Sequence, residues 1–141
     1  SSAYDQKVDL PVLAEDLHLE IDDLFPLTET LEILRFARVS EGDIELTSNG
    51  LKLAEADIQR RKRLFAAHLM TYVPLAKYIR RTIDQEDNHE VSESVFLKQL
   101  EKYLSEQAAE EVLTTVIDWG RYAEIFAYDY NSGILSLENP Q

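Results

Sequence analysis

Seven basic side chains stand closest to chemistry in this sequence. Arg60, Arg61, Lys62 and Arg63 are consecutive, and Lys77, Arg80 and Arg81 come after them. Between Ile58 and Arg81 every charged residue is basic. Elsewhere acids dominate: the 141-residue chain has 27 Asp and Glu against 14 Lys and Arg, a net charge of −13. Such a belt has two readings. It can pair with the chain's own acidic helices, or it can form a docking face for an acidic partner. A second concentration is aromatic: Trp119, Tyr122, Phe126, Tyr128 and Tyr130. Core packing with the tyrosine hydroxyls reaching the surface is one reading. A patch of partner-binding anchors is the other.

Catalytic and cofactor chemistry finds little to work with. Nucleotide hydrolysis needs a glycine-rich loop with a lysine, G-x-x-x-x-G-K-[ST], and four scattered glycines cannot build one or a dinucleotide fingerprint. Cysteine is absent, so disulfides, thiolate metal sites and a cysteine nucleophile are excluded. His18, His68 and His89 are too far apart in sequence for a zinc motif, and His68 is expected beside the core. The loop Glu86–Glu90 lacks the alternation and terminal glutamate of a calcium site. Acid pairs such as Glu15-Asp16, Asp22-Asp23 and Glu110-Glu111 are helix neighbours that do not face each other. No nucleophile elbow occurs. The expectation is a chain with no catalytic residue, cofactor or metal of its own, acting on a protein partner.

The charge also disfavours nucleic acid, whose binding rests on Lys and Arg neutralising phosphates. No apolar run approaches the roughly 20 residues that span a bilayer. No secretory signal opens the chain. Cysteine's absence suits a reducing cytosol.

The elements that must position these residues are mostly helical. Asp9 before Pro11 suits a helix start, with Val12, Leu13 and Leu17 as its apolar face. Leu24, Leu27, Leu31 and Leu34 predict a helix over about 22–37. Val39, Ile44 and Leu46 around Gly42 predict a β-hairpin. A long helix is predicted from Leu51, with Leu51, Ala54, Ile58, Phe65, Leu69 and Tyr72 near one stripe and Pro74 breaking it. A further helix covers about 75–83, and 84–90 reads as a turn. Helices over 94–104 and 106–119 come next, with Ser92 and Ser105 as candidate caps. Gly120 either loosens the end of the last helix or lets another element approach closely. A closing hairpin spans Ile125–Leu137.

Leu34-Arg-Phe-Ala37 leads into the first hairpin and Gly120-Arg-Tyr-Ala123 into the second. Each half is thus a set of helices ending in a two-stranded wing. The predicted fold is mainly α with small β-hairpins: tandem winged-helix-like units over 10–50 and 84–138, joined by a long central helix and its successor over 51–83. Residues 1–9, with Ser1 and Ser2 a possible cloning remnant, and 139–141 are tails.

Several segments resemble the AAA-associated C-terminal domain: Leu27–Ala37, Gly42–Thr47, Ala54–Phe65, Val73–Ala76 with Ile79–Arg81, and above all Ile117-Asp-Trp-Gly-Arg-Tyr-Ala-Glu-Ile-Phe-Ala-Tyr128. That domain comes after the ATPase domain in ATP-binding subunits of prokaryotic ABC importers of the nitrate, sulfonate, taurine and bicarbonate class. The resemblance implies a cytoplasmic regulatory or assembly domain, peripheral to the inner membrane through a permease, with ATP chemistry done upstream. It carries over no catalytic residues. The docking face toward the ATPase domain is expected at Arg60, Arg61, Lys62, Arg63, Arg80 and Arg81, with Trp119 and Tyr122 as packing anchors. A homodimer is compatible with this. The alternative is a stand-alone winged-helix transcriptional regulator or dimerisation module. Against a DNA reader stand Glu29, Glu32, Glu41, Asp43 and Glu45 in the first unit, and Glu110, Glu111, Asp118 and Asp129 in the second.

Overall fold

The computed structural model describes residues 27–40 and 42–137. The predicted first helix, around Asp9–Leu17, and the start of the second lie outside the described residues. The chain divides into two compact units, residues 1–73 and 74–141. It is mostly helical with two small antiparallel sheets.

In the first unit, α1 (Leu27–Ile33) ends before the predicted Ala37. The cause is local. The Phe36 N–H donates back to the Leu31 carbonyl at 2.8 Å and the Arg35 N–H to the Glu32 carbonyl at 3.0 Å. Arg35 sits at φ 64°, the left-handed ending that satisfies a helix's last carbonyls and turns the chain out of it. Strands β1 (Ala37–Ser40) and β2 (Asp43–Leu46) come next, pairing Ala37 with Leu46 and Val39 with Ile44. Gly42, at φ 86°, supplies the turn.

Thr47 then fastens this hairpin to the helix end. Its N–H donates to the Phe36 carbonyl (2.9 Å) and its hydroxyl to the Arg35 carbonyl (2.9 Å). The same hydroxyl accepts from the Gly50 N–H (3.0 Å), capping α2 (Ser48–Glu55). The predicted long helix from Leu51 is interrupted at Ala56-Asp57. Ala56 is extended, and Asp57 starts a new helix, α3 (Ile58–Tyr72), by accepting from the Arg60 N–H at 2.8 Å. The break resets the helical phase. Ile58, predicted on the apolar stripe, is therefore 68% exposed, while Leu53, Phe65 and Leu69 pack inward with Leu31, Leu34 and Phe36. His68 lies beside this core, its ring stacked on Phe36 at 4.1 Å and its Nδ1 2.6 Å from the Leu34 carbonyl.

The second unit begins with α4 (Pro74–Gln85), proline occupying the first helical position, where its missing N–H costs nothing. Ala76, Ile79 and Ile83 face inward. Strand β3 (Glu90–Ser92) was not predicted; three residues show a single alternation, too short to read as a period. It pairs with β5 (Ile134–Ser136), which also pairs with β4 (Ala127–Asp129), in the order β3-β5-β4. Val91 meets Leu135, both buried. Ser92 caps α5 (Glu93–Leu100), and Ser105 caps α6 (Glu106–Tyr122), as predicted. α5 ends at Leu100 rather than Leu104, and α6 extends past Trp119.

α6 ends as α1 does. Glu124 is left-handed at φ 60°, and the Ile125 N–H donates to the Gly120 carbonyl at 3.0 Å. The structural counterpart of Leu34–Ala37 is therefore Ala123–Phe126, about one helical turn later than the sequence pattern suggests. Of the two roles predicted for Gly120, close approach is the one observed: a Cβ there would come within 2.1 Å of the Phe126 ring.

Gly→Ala in a helix interior ordinarily gains about 1 kcal/mol. At Gly120 the overpacking against fully buried Phe126 exceeds that gain, so G120A is expected to lose about 1–3 kcal/mol in urea unfolding. Adding Phe126→Leu should recover part of the loss relative to F126L alone. A G120A protein as stable as the parent contradicts this packing.

Candidate partner-docking surface

The first turns of α3 carry no acid and hold Arg60, Arg61, Lys62 and Arg63. Cations there oppose the helix dipole, so their placement does not serve the helix's own electrostatics. Arg61 has its own use. Only 9% exposed, it donates from Nε to the Leu53 carbonyl (3.0 Å) and from Nη2 to the Ala54 carbonyl (2.9 Å). Those carbonyls close the last turn of α2, where a cation is favoured. Arg61 thus locks α3 against the helix before it. It does not present its charge outward. Lys62 is half-buried, whereas Arg60 and Arg63 are exposed. Among the described residues no carboxylate pairs with either of these two.

In the second unit, Arg80 donates from Nε to both Asp84 oxygens (3.1 and 3.2 Å) and from Nη1 to the Ile125 carbonyl (2.7 Å). It ties α4 to the residue just past the left-handed end of α6. Arg81 is exposed. Trp119, only 2% exposed, belongs to the unit's core, and Tyr122 is half-buried. The expected docking set is therefore divided. Arg60–Arg63 lie on one helix of the first unit, and Arg80, Arg81, Trp119 and Tyr122 belong to the second. Arg61, Arg80 and Trp119 are engaged inside their units. Arg60, Arg63 and Arg81 are the outward-facing cations.

The remaining aromatics organise the second hairpin. Tyr128 donates its hydroxyl to Glu93 Oε2 at 2.9 Å, while the Glu93 N–H donates to the Gly133 carbonyl at 2.9 Å. The start of α5 is thereby stitched to the hairpin. Burial, then the hydrogen bond to Glu93 and its negative charge, push the Tyr128 hydroxyl from 10.0 up to about 12. Tyr130 packs edge-on to Tyr128 and under the Arg121 guanidinium. Asp129, accepting from the Ser132 hydroxyl and the Asn131 N–H, is held below the usual carboxylate range.

A cavity of about 750 Å³ opens beside the α1–β1 junction, lined among others by Arg35, Arg38, Asn49 and Tyr72. These residues are scattered along the first unit, and no spacing in the sequence connects them. Among the described residues no cluster of His, Cys, Asp or Glu could hold a metal ion, and no helix is long and apolar enough to cross a membrane.

A profile of the C-terminal AAA-associated domain matches residues 11–129. No curated protein and no solved structure matches the chain.

This geometry sets two expected outcomes. Replacing Arg61 with Ala strips two carbonyls of a charged donor and should cost about 1.5–3 kcal/mol in denaturant unfolding. Replacing Arg60 or Arg63, both exposed, should stay within about 0.5 kcal/mol; equal losses at all three would refute the distinction. The second concerns alkaline pH. Because folding raises the Tyr128 pKa, its contribution is full below about pH 10 and is lost as pH climbs through about 12. The stability difference between the parent and Tyr128→Phe should therefore shrink across that window. A difference that stays constant through it would contradict the raised Tyr128 pKa and the burial and Glu93 contact that cause it.

Proposed function

The chain belongs to the C-terminal AAA-associated domain family, and from that premise we propose that it is a non-catalytic accessory domain of the ATP-binding subunit of a prokaryotic ABC importer, of the class that carries nitrate, sulfonate, taurine or bicarbonate. Each unit acts as a winged-helix-like body. The domain docks on the ATPase domain, remains in the cytoplasm and reaches the membrane only through the permease. Family membership is the observation that carries this reading.

The docking mechanism rests on the charges. Arg60 and Arg63 stand exposed at the start of a helix whose dipole they oppose, and no carboxylate among the described residues pairs with them. An acidic face on the ATPase domain would relieve that arrangement. Control of hydrolysis requires the face to be contacted differently in the open and closed ATPase states, since only differential binding shifts an equilibrium. Lys62 stands beside Arg60 and Arg63 on the same helix, and Arg61 holds α3 in place behind the interaction.

The test uses the full-length subunit with Arg60→Glu and Arg63→Glu together. Circular dichroism and thermal melting should match the parent. ATPase activity should shift by several-fold in its dependence on nucleotide and salt, because a surface ion pair weakens as salt screens it. Identical activity across the nucleotide and salt series, in a folded double variant, removes Arg60 and Arg63 from the interface.

A further inference from the structure

The cavity beside the α1–β1 junction is built from groups that the docking face does not use. It is a groove of about 750 Å³ that stays open to solvent, so a small ion can enter it freely. Ile33 and Ala37 give it an apolar part; Arg35, Arg38, Asn49 and Tyr72 bring polar groups to it. Arg35 is fixed at its base. Two hydrogen bonds close α1 around it, and the Thr47 hydroxyl holds its carbonyl. Its backbone is left-handed, at φ 64°, where glycine or asparagine would sit with less strain. An arginine at this position costs stability that its side chain must justify.

The guanidinium lies over the Tyr72 ring, 5.3 Å from its centre, and Tyr72 is 41% exposed. Among the described residues no carboxylate pairs with Arg35, in a chain whose acids outnumber its bases almost two to one. Among the described residues Arg38 pairs with Glu45 alone, at 3.4 Å on the exposed hairpin, an ion pair weak enough to exchange. Glu32 also lines the cavity and disfavours a ligand of high negative charge. Guanidinium groups match carboxylates and tetrahedral oxyanions in fork geometry.

We propose that this cavity binds a small anion of low charge, a carboxylate or a tetrahedral oxyanion, with Arg35 as the principal donor and Arg38 and Asn49 as secondary ones. Tyr72 holds the Arg35 guanidinium extended across the site. The site is independent of the docking face on α3 and needs no ATPase domain to form.

Amide chemical shifts of the whole chain decide it, measured during titration with sodium acetate and sodium methanesulfonate, each singly charged, at constant ionic strength set by chloride. The expected result is a saturable shift at Arg35, Arg38, Asn49 and Tyr72 with at least one probe; which probe saturates assigns carboxylate or oxyanion. Arg35→Asn, which keeps a residue tolerant of the left-handed backbone, should weaken that binding at least about tenfold. Arg38→Gln should weaken it less, and Arg63→Gln not at all. Should Arg35→Asn disturb the fold, Arg38→Gln still has to weaken the binding. Shifts that never saturate, that survive both cavity variants, or that centre on 58–63 overturn the proposal.

Discussion

Each unit of this protein turns on how a helix is made to stop. α1 and α6 close with the same pair of backward hydrogen bonds around one left-handed residue, Arg35 in one case and Glu124 in the other. The closure satisfies carbonyls that would otherwise be orphaned, and it aims the next residues into a strand. That exit sets the packing of the neighbouring elements. In the first unit Thr47 reads the position of the Arg35 and Phe36 carbonyls and starts α2 from them. Gly50 then lets α2 lie directly on the Phe36 backbone, where any side chain would collide. In the second unit Phe126 tucks under Gly120, and Arg80 takes the Ile125 carbonyl.

The same junction explains why the sequence was informative in some places and silent in others. Apolar spacing marked most helices because Leu31, Leu34, Phe65, Leu69, Ile79 and Ile83 bury one face each. Gly42 marked its turn, and Ser92 and Ser105 their caps, since these residue types have local reasons to be there. Left-handed Arg35 and Glu124 gave no warning, because neither type favours that conformation. The sequence pattern of the two halves therefore runs one turn out of register with their structure. The interruption at Ala56-Asp57 was equally hidden: Asp57 is a good cap, but the apolar spacing of Leu51, Ala54 and Ile58 runs straight through it. β3 depends on pairing with β5, a long-range partner that no local pattern reveals.

For the docking surface, residue type was legible and burial was not. A run of four basic residues looks like one patch in sequence. On a helix its members point in different directions, and Arg61 turns back onto α2 while Arg60 and Arg63 face out. Trp119, the most conspicuous aromatic, is core. Charge is also uneven between the units: bases and acids are equal in number over 27–73, whereas acids clearly dominate 74–137. The proposed docking thus rests on Arg60 and Arg63 and not on the belt as a whole.

The proposed docking requires an ATPase domain to cover the start of α3. The earliest amides of that helix, at Ile58 and Gln59, precede the first capped N–H at Arg60 and lack helical acceptors, so water reaches them when the face is free. Hydrogen–deuterium exchange compared between this chain alone and the full-length subunit reads that directly. Exchange at 58–63 should be slower in the subunit, with the slowing dependent on bound nucleotide. Equal exchange in both, with and without nucleotide, contradicts docking through this face.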